Sequence, residues 1–86
     1  MFYAYILRSE QNPDVLYHGS TADLRKRLQA HNLGRNRSTI AMRPWQLAWY
    51  AGFESETPAK NFERYLKTSS GKAFVRKRLL TPNTPA

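Results

Sequence analysis

YHGSTADLRKRLQAHN, residues 17–32, is the stretch from which the rest of the fold is read. Tyr17-His18-Gly19 has the character of a strand end, and Gly19 lets the backbone turn or something approach closely. Ser20-x-x-Asp23 resembles a capping box, so a helix is predicted from about Thr21 to Leu33, stopped by Gly34. At about 100° per residue, Leu24, Arg27, Leu28 and His31 fall on one face of that helix. A solvated charge run places its cations opposite the leucines. Here Arg27 and His31 share the side that must pack, which makes them candidates for a site.

Upstream, residues 2–8, FYAYILR, are β-branched and aromatic and predict a strand. Alternation puts Tyr3, Tyr5 and Leu7 on one face and Phe2, Ala4 and Ile6 on the other, so both faces are expected to be covered. Asn12-Pro13-Asp14 is turn chemistry, and Val15–Gly19 is expected to close a hairpin with the first strand. Downstream, residues 34–44 form a basic loop carrying Arg35, Arg37 and Arg43 without an acid, expected to be mobile or functional. Trp45–Phe53 reads as a third strand. Thr57 as N-cap and Pro58 as first helical residue open a second helix, with Ala59, Phe62 and Leu66 as its apolar stripe and Glu63 beside it. Thr68–Gly71 is expected to break that helix. A third then runs from Lys72 to Leu80, with Phe74, Val75 and Leu79 inward. Thr81–Ala86 is predicted to be a disordered tail. The expected architecture is one domain over residues 1–80, α+β, in the order β-β-α-β-α-α, with a three-stranded antiparallel sheet flanked by helices.

Charge narrows the function. Among 86 residues, 14 are basic and 6 acidic, a net charge of +8, so the chain should be drawn to polyanions, of which nucleic acid is the commonest. The absence of cysteine excludes disulfides, thiolate metal sites and a Cys nucleophile, and fits a reducing, cytoplasmic setting. Met1-Phe2-Tyr3 does not open a secretory signal, and no apolar run approaches the roughly 20 residues of a membrane span. No membrane partner and a monomer are expected. There is no P-loop, dinucleotide fingerprint, two-His metal motif or nucleophile elbow.

Glu63 is the odd acid, mid-helix at the margin of an apolar stripe, among Lys60, Arg64 and Lys67. Its bland reading is an (i, i+4) pair with Lys67. Its functional reading is a metal ligand, because Mg²⁺ keeps most of its waters and can bind through one carboxylate plus phosphate oxygens. Arg27 and His31 also have bland readings, as a snorkelling stem and a hydrogen-bonded packing residue. On pattern alone Tyr3, Tyr5 and Tyr17 are sheet residues.

Taken together, these residues resemble the GIY-YIG nuclease superfamily, in particular its compact single-domain (UPF0213-like) members. Tyr3-Ala4-Tyr5 stands for the first motif and Tyr17-His18-Gly19 for the second, on paired strands. Asp23-Leu24-x-x-Arg27-Leu28-x-x-His31-Asn32 is similar to the family's helix, and Phe62-Glu63-Arg64-Tyr65-Leu66-Lys67 to the helix bearing its metal-binding Glu. The Gly and Ile of the first motif are replaced by Tyr3 and Ala4, and the middle Ile of the second by His18. The resemblance implies metal-dependent hydrolysis of DNA phosphodiester bonds, with Tyr5, Tyr17, Arg27, His31 and Glu63 as catalytic residues. On that reading one Mg²⁺ or Mn²⁺ is expected at Glu63, Arg27 is expected to bind phosphate, and Tyr17 to act as base with Tyr5 orienting and His31 accepting or relaying the proton. Asn32 and Ser20 are candidate supports. Arg35, Arg37, Arg43, Lys60 and Lys72 are expected to grip flanking phosphates, on single-stranded or branched DNA; Trp45 is a candidate to stack a base, its bland reading being core packing. The alternatives are a nucleic-acid-binding module without catalysis and a basic protein that docks on an acidic partner.

Overall fold

Phe2–Ser9, dense in β-branched and aromatic residues, forms β1, the middle strand of a three-stranded antiparallel sheet in the computed structural model, which describes residues 1–80. The predicted tail, 81–86, lies outside the described residues. β1 pairs on one side with β2 (Leu16–Thr21) and on the other with β3 (Trp45–Phe53). Because β1 is central and covered on both faces, Ala4, Tyr5, Ile6 and Leu7 are all buried. Tyr5 and Leu7 pack with Trp45, Tyr17, Leu24 and Leu28 beneath α1 (Leu24–Asn32). Ile6 packs on the opposite face with Leu66, Val75, Trp49 and Phe62, beneath α2 (Glu56–Leu66) and α3 (Ser69–Phe74). α3 continues as a π-helical turn, Val75–Leu79. The fold class, the element order and the two-faced sheet are as the sequence predicts.

An irregularity in the β1–β3 ladder decides where two tryptophans go. Ile6 faces Trp49 but Leu7 faces Leu47, so β3 carries one extra residue at Ala48. Strand side chains alternate with period two, so Trp45 and Trp49 would otherwise share a face. The bulge moves them apart, Trp45 to the α1 side and Trp49 to the α2 side.

Three element boundaries differ from expectation. Ser20 and Thr21 do not start α1; they stay paired to Ala4 and Tyr3, and the ladder holds them extended. The cap is Asp23, whose carboxylate accepts the Lys26 N–H at 3.0 Å. α2 starts earlier than Thr57–Pro58 implies, with Ser55 as N-cap. Pro58 is then the third helical residue, where an N–H has no intrahelical partner and none is lost. The break after α2 is shorter than predicted: Thr68 caps α3, accepting the Gly71 N–H at 3.0 Å, and Gly71 lies inside the helix. It is glycine for space, since a Cβ there would run into the Tyr65 carbonyl.

The basic loop is held rather than loose. It contains a 3₁₀ turn, Ile40–Met42, whose Met42 carbonyl accepts the Ser9 hydroxyl at 2.7 Å. Among the described residues, no helix is long and apolar enough to cross a membrane.

Leu66 has no exposed surface and anchors α2 to the sheet. Leu66→Ala is expected to lower unfolding stability by about 2–5 kcal/mol, read from urea denaturation.

Candidate active site

Tyr5 stands opposite Gly19 across the β1–β2 ladder, and Tyr17 stands opposite Leu7, so the two tyrosines are diagonal neighbours on the α1 face. Gly19 is required here: a Cβ at this position would run into the Tyr5 phenol. Through that gap the Tyr5 hydroxyl reaches His31 Nε2 at 3.1 Å. The His31 ring also lies against Tyr17, with centroids 5.0 Å apart.

The hydrogen bonds around His31 assign its tautomer. The Thr39 hydroxyl donates to the Asn36 carbonyl at 3.3 Å, which leaves its oxygen to accept from His31 Nδ1–H at 2.8 Å. Nε2 is therefore the acceptor, and Tyr5 O–H is the donor. Burial, with the Arg27 charge adding to it, lowers the His31 pKa and keeps the ring neutral. Burial raises the Tyr5 phenol well above its ordinary value; the Tyr17 and Glu63 groups add to this and Arg27 opposes it. Tyr5 is thus a protonated donor fixed to a neutral imidazole.

Glu63 projects from α2 towards the same strand from the other side. Its Oε1 accepts the Ser20 hydroxyl at 2.6 Å and its Oε2 accepts Lys67 Nζ at 2.7 Å. Burial pushes the carboxyl pKa up, but the hydrogen bonds from Lys67 and Ser20 and the charges of Lys67 and Lys60 outweigh it, so the net direction is down and the group is ionised. The (i, i+4) pair with Lys67 is therefore present, and the carboxylate still faces an open space.

That space is a cleft of about 440 Å³ whose walls include Tyr5, Tyr17, Arg27 and Glu63. Each of the four comes from a different element: β1, β2, α1 and α2. Gly19 and Ser20 form its floor on the edge strand, while Lys60 and Glu56, an exposed pair 3.9 Å apart, also line it. A guanidinium, two phenols and an ionised carboxylate around one opening suit an anionic ester: the cation binds the anion, and the carboxylate holds a counter-cation or a proton. Among the described residues no three His, Asp or Glu side chains gather into a metal cage.

Other residues named from the sequence lie elsewhere. His31 sits behind the cleft and reaches it through Tyr5. Asn32 clamps the start of β3, accepting Trp45 N–H at 2.6 Å and donating to the Trp45 carbonyl at 3.1 Å. Trp45 is not available for base stacking: it is 4% exposed, with its indole N–H donated to the Thr39 carbonyl at 2.9 Å. Burying its large apolar ring against Tyr17 wins over exposing it. Arg35 and Arg37 lie on the exposed loop, Arg43 donates to the Ile40 carbonyl at 3.0 Å, and Lys72 borders a different pocket. Sequence reasoning did not find Thr39, the second partner of the buried imidazole. The only signal for it was the general need of a buried His for a partner on each nitrogen.

Comparison with known proteins identifies the family. A family model described as the GIY-YIG catalytic domain matches residues 1–78. A structure-specific endonuclease subunit slx1 of Talaromyces stipitatus is 41% identical over 65 residues, covering 69% of this chain but 17% of the relative's length. A UPF0213 protein of Pediococcus pentosaceus is 38% identical over 67 residues, covering 77% of this chain and 68% of the relative. A UPF0213 protein of Clostridium perfringens is 37% identical over 68 residues, covering 78% and 71%.

His31 and His18 both have pKa values lowered by burial, further lowered by Arg27 for the first and by Lys67 and Lys72 for the second. The unfolded chain therefore takes up protons before the folded one as pH falls through about 6.5. Stability is expected to be fully present above that range and to decline on acidification from pH 7 towards 5. Glu63, whose folded pKa is depressed, titrates only at lower pH. Urea denaturation at a series of pH values checks this; a flat profile between pH 7 and 5 contradicts it.

Proposed function

The chain belongs to the GIY-YIG family, and from that premise we propose that it is a metal-dependent endonuclease that hydrolyses phosphodiester bonds of DNA, single-stranded or branched. The observation that carries this reading is the convergence of Tyr5, Tyr17, Arg27 and Glu63 from four elements on one open cleft. The net charge of +8 supports a polyanionic substrate. The slx1 relatives, named as subunits of a structure-specific endonuclease, support a substrate chosen by shape. A cleft at the edge of a small sheet suits a strand that can bend into it.

Arg27 is exposed on the cleft wall, and its planar donors bind phosphate oxygens and meet the charge that builds on them during attack, a role a point-charge ammonium fills less well. Lys60 adds charge at the rim. Glu63 would hold a single Mg²⁺ or Mn²⁺. One ionised carboxylate facing a roomy cleft fits an ion that fills its remaining positions with water and phosphate oxygens. Bound there, the ion supplies Lewis-acid stabilisation of the phosphate and leaving oxygens. Lys67 gives way readily, since its side chain is 52% exposed.

Tyr17 is the general base, and the state of Tyr5 is what favours it. The Tyr5 proton is committed to His31, so Tyr5 keeps oxygen lone pairs with which to orient the attacking water. His31 positions Tyr5 and does not touch substrate. Ser20 aims the Glu63 carboxylate. Thr39 fixes the imidazole.

The test is cleavage of end-labelled single-stranded, duplex and flapped DNA and of RNA, with Mg²⁺ or Mn²⁺ and with EDTA. Cleavage is expected with metal on single-stranded or flapped DNA and is lost in EDTA and in Glu63→Ala, with binding retained. Arg27→Ala is expected to slow it about 10²–10³-fold and Tyr17→Phe about 10²–10⁴-fold. Lys67→Ala is expected to lower the metal concentration needed for half-maximal rate, because Glu63 loses its competing cation. Binding without cutting on every substrate overturns the enzyme reading in favour of a binding module. No salt-sensitive binding to any polynucleotide overturns both.

A further inference from the structure

β2 borders a second concavity that the cleft chemistry does not use. A pocket of about 190 Å³ lies between the edge strand and α3, lined by Asp14, Leu16, His18, Lys72, Val75 and Arg76. A neighbouring pocket of about 310 Å³ shares Asp14, Leu16 and Arg76 with it and is also bordered by Arg8. Together they form one groove. Two buried side-chain polar atoms among the described residues have no hydrogen-bond partner, Arg8 Nε and His18 Nε2, and both side chains line this groove.

Unpaired buried nitrogens are costly and call for an occupant. A guanidinium carries donors and no acceptor, so Arg8 Nε can only donate. Arg8, Lys72 and Arg76 set three cations against the single carboxylate of Asp14, and none of the four is in an ion pair among the described residues. The occupant is therefore a compact anion that accepts several hydrogen bonds, as a phosphate group does.

Position ties the groove to the cleft. His18 and Ser20 lie on the same face of β2, about 6.7 Å apart by strand rise, and Ser20 holds the Glu63 carboxylate. That step is of the order of the distance between neighbouring phosphates along an extended polynucleotide. We propose that the groove of Arg8, His18, Lys72 and Arg76 is a backbone-phosphate subsite that seats a phosphate of the nucleic-acid strand flanking the one in the cleft. The inference rests on the nuclease reading for its substrate and adds the path the strand takes across the protein.

The test measures binding of the full chain to single-stranded oligonucleotides in EDTA, so cleavage is not required. In each oligonucleotide one phosphate is replaced by an uncharged methylphosphonate. Lys72 and Arg76 are exposed, so Lys72→Ala/Arg76→Ala leaves the fold intact, as circular dichroism verifies. Wild type is expected to lose affinity at one or two particular positions, and the double variant to be indifferent to them. The slope of log affinity against log salt is expected to shrink by about 0.7 for each phosphate that the variant no longer neutralises. His18→Leu should weaken binding at the same positions. If wild type and double variant respond alike at every position, the subsite is wrong. If inorganic phosphate saturates the groove, followed by the His18 ring signals, and oligonucleotide does not displace it, the groove is a free-anion site and the proposal is overturned. Position-specific loss in a chain that cuts nothing supports the subsite and sinks the nuclease reading. Cutting without position-specific loss does the reverse.

Discussion

A missing side chain governs this site. Tyr5 can lie across the β1–β2 ladder because Gly19, directly opposite, offers no Cβ to block it. That single clearance lets a phenol from the central strand bond to an imidazole on α1. The imidazole is in turn fixed by Thr39 from the loop that leads into β3. A second link, the Ser20–Glu63 hydrogen bond, ties α2 to the next residue of the same strand. The edge strand is thus held by α1 chemistry on one face and α2 chemistry on the other, and the cleft opens where the two meet.

Electrostatics leaves the Glu63 carboxylate loosely held in the cleft. Glu63 is ionised, and Lys67 occupies one of its oxygens. The Lys67 side chain is 52% exposed and that of Glu63 20%, so the pair is screened and contributes at most about 1 kcal/mol. On the proposed reading a divalent ion held by the carboxylate would displace Lys67 readily; without one, Lys67 satisfies Glu63 Oε2. The buried Tyr5–His31–Thr39 chain differs in kind. It is neutral throughout, and it stays assembled because each donor in it has one acceptor and each burial penalty opposes ionisation.

Much of this was legible from spacing. Alternation in β1 showed a strand covered on both faces, and the helical arc placed Arg27 and His31 together. What escaped reading depended on partners that no local pattern shows. Ser20 matches a helix cap by pattern, but pairing with Ala4 decides its conformation and its hydroxyl goes to Glu63. Trp45 had both a stacking and a core-packing reading, and the second holds; nothing local reveals the bulge at Ala48 that sends Trp45 and Trp49 to opposite faces. Gly71 passes for a helix breaker, while its role is close packing against the carbonyl of Tyr65. Thr39 had no periodicity to mark it, since its place is fixed by a ring eight residues away and by the Asn36 carbonyl and Trp45 indole.

The central claim is that a divalent ion and a phosphodiester meet at Glu63, between Arg27 and the two tyrosines. Paramagnetic broadening by Mn²⁺, recorded residue by residue with a cleavage-resistant phosphorothioate oligonucleotide bound, tests it most directly. The account predicts that the signals of Gly19, Ser20 and Glu63 disappear first, followed by Tyr5 and Tyr17, while those of Gln11 and Asn12, in the turn at the far end of the β1–β2 hairpin, persist longest. Broadening centred on any other surface, or spread evenly over the protein, would contradict it.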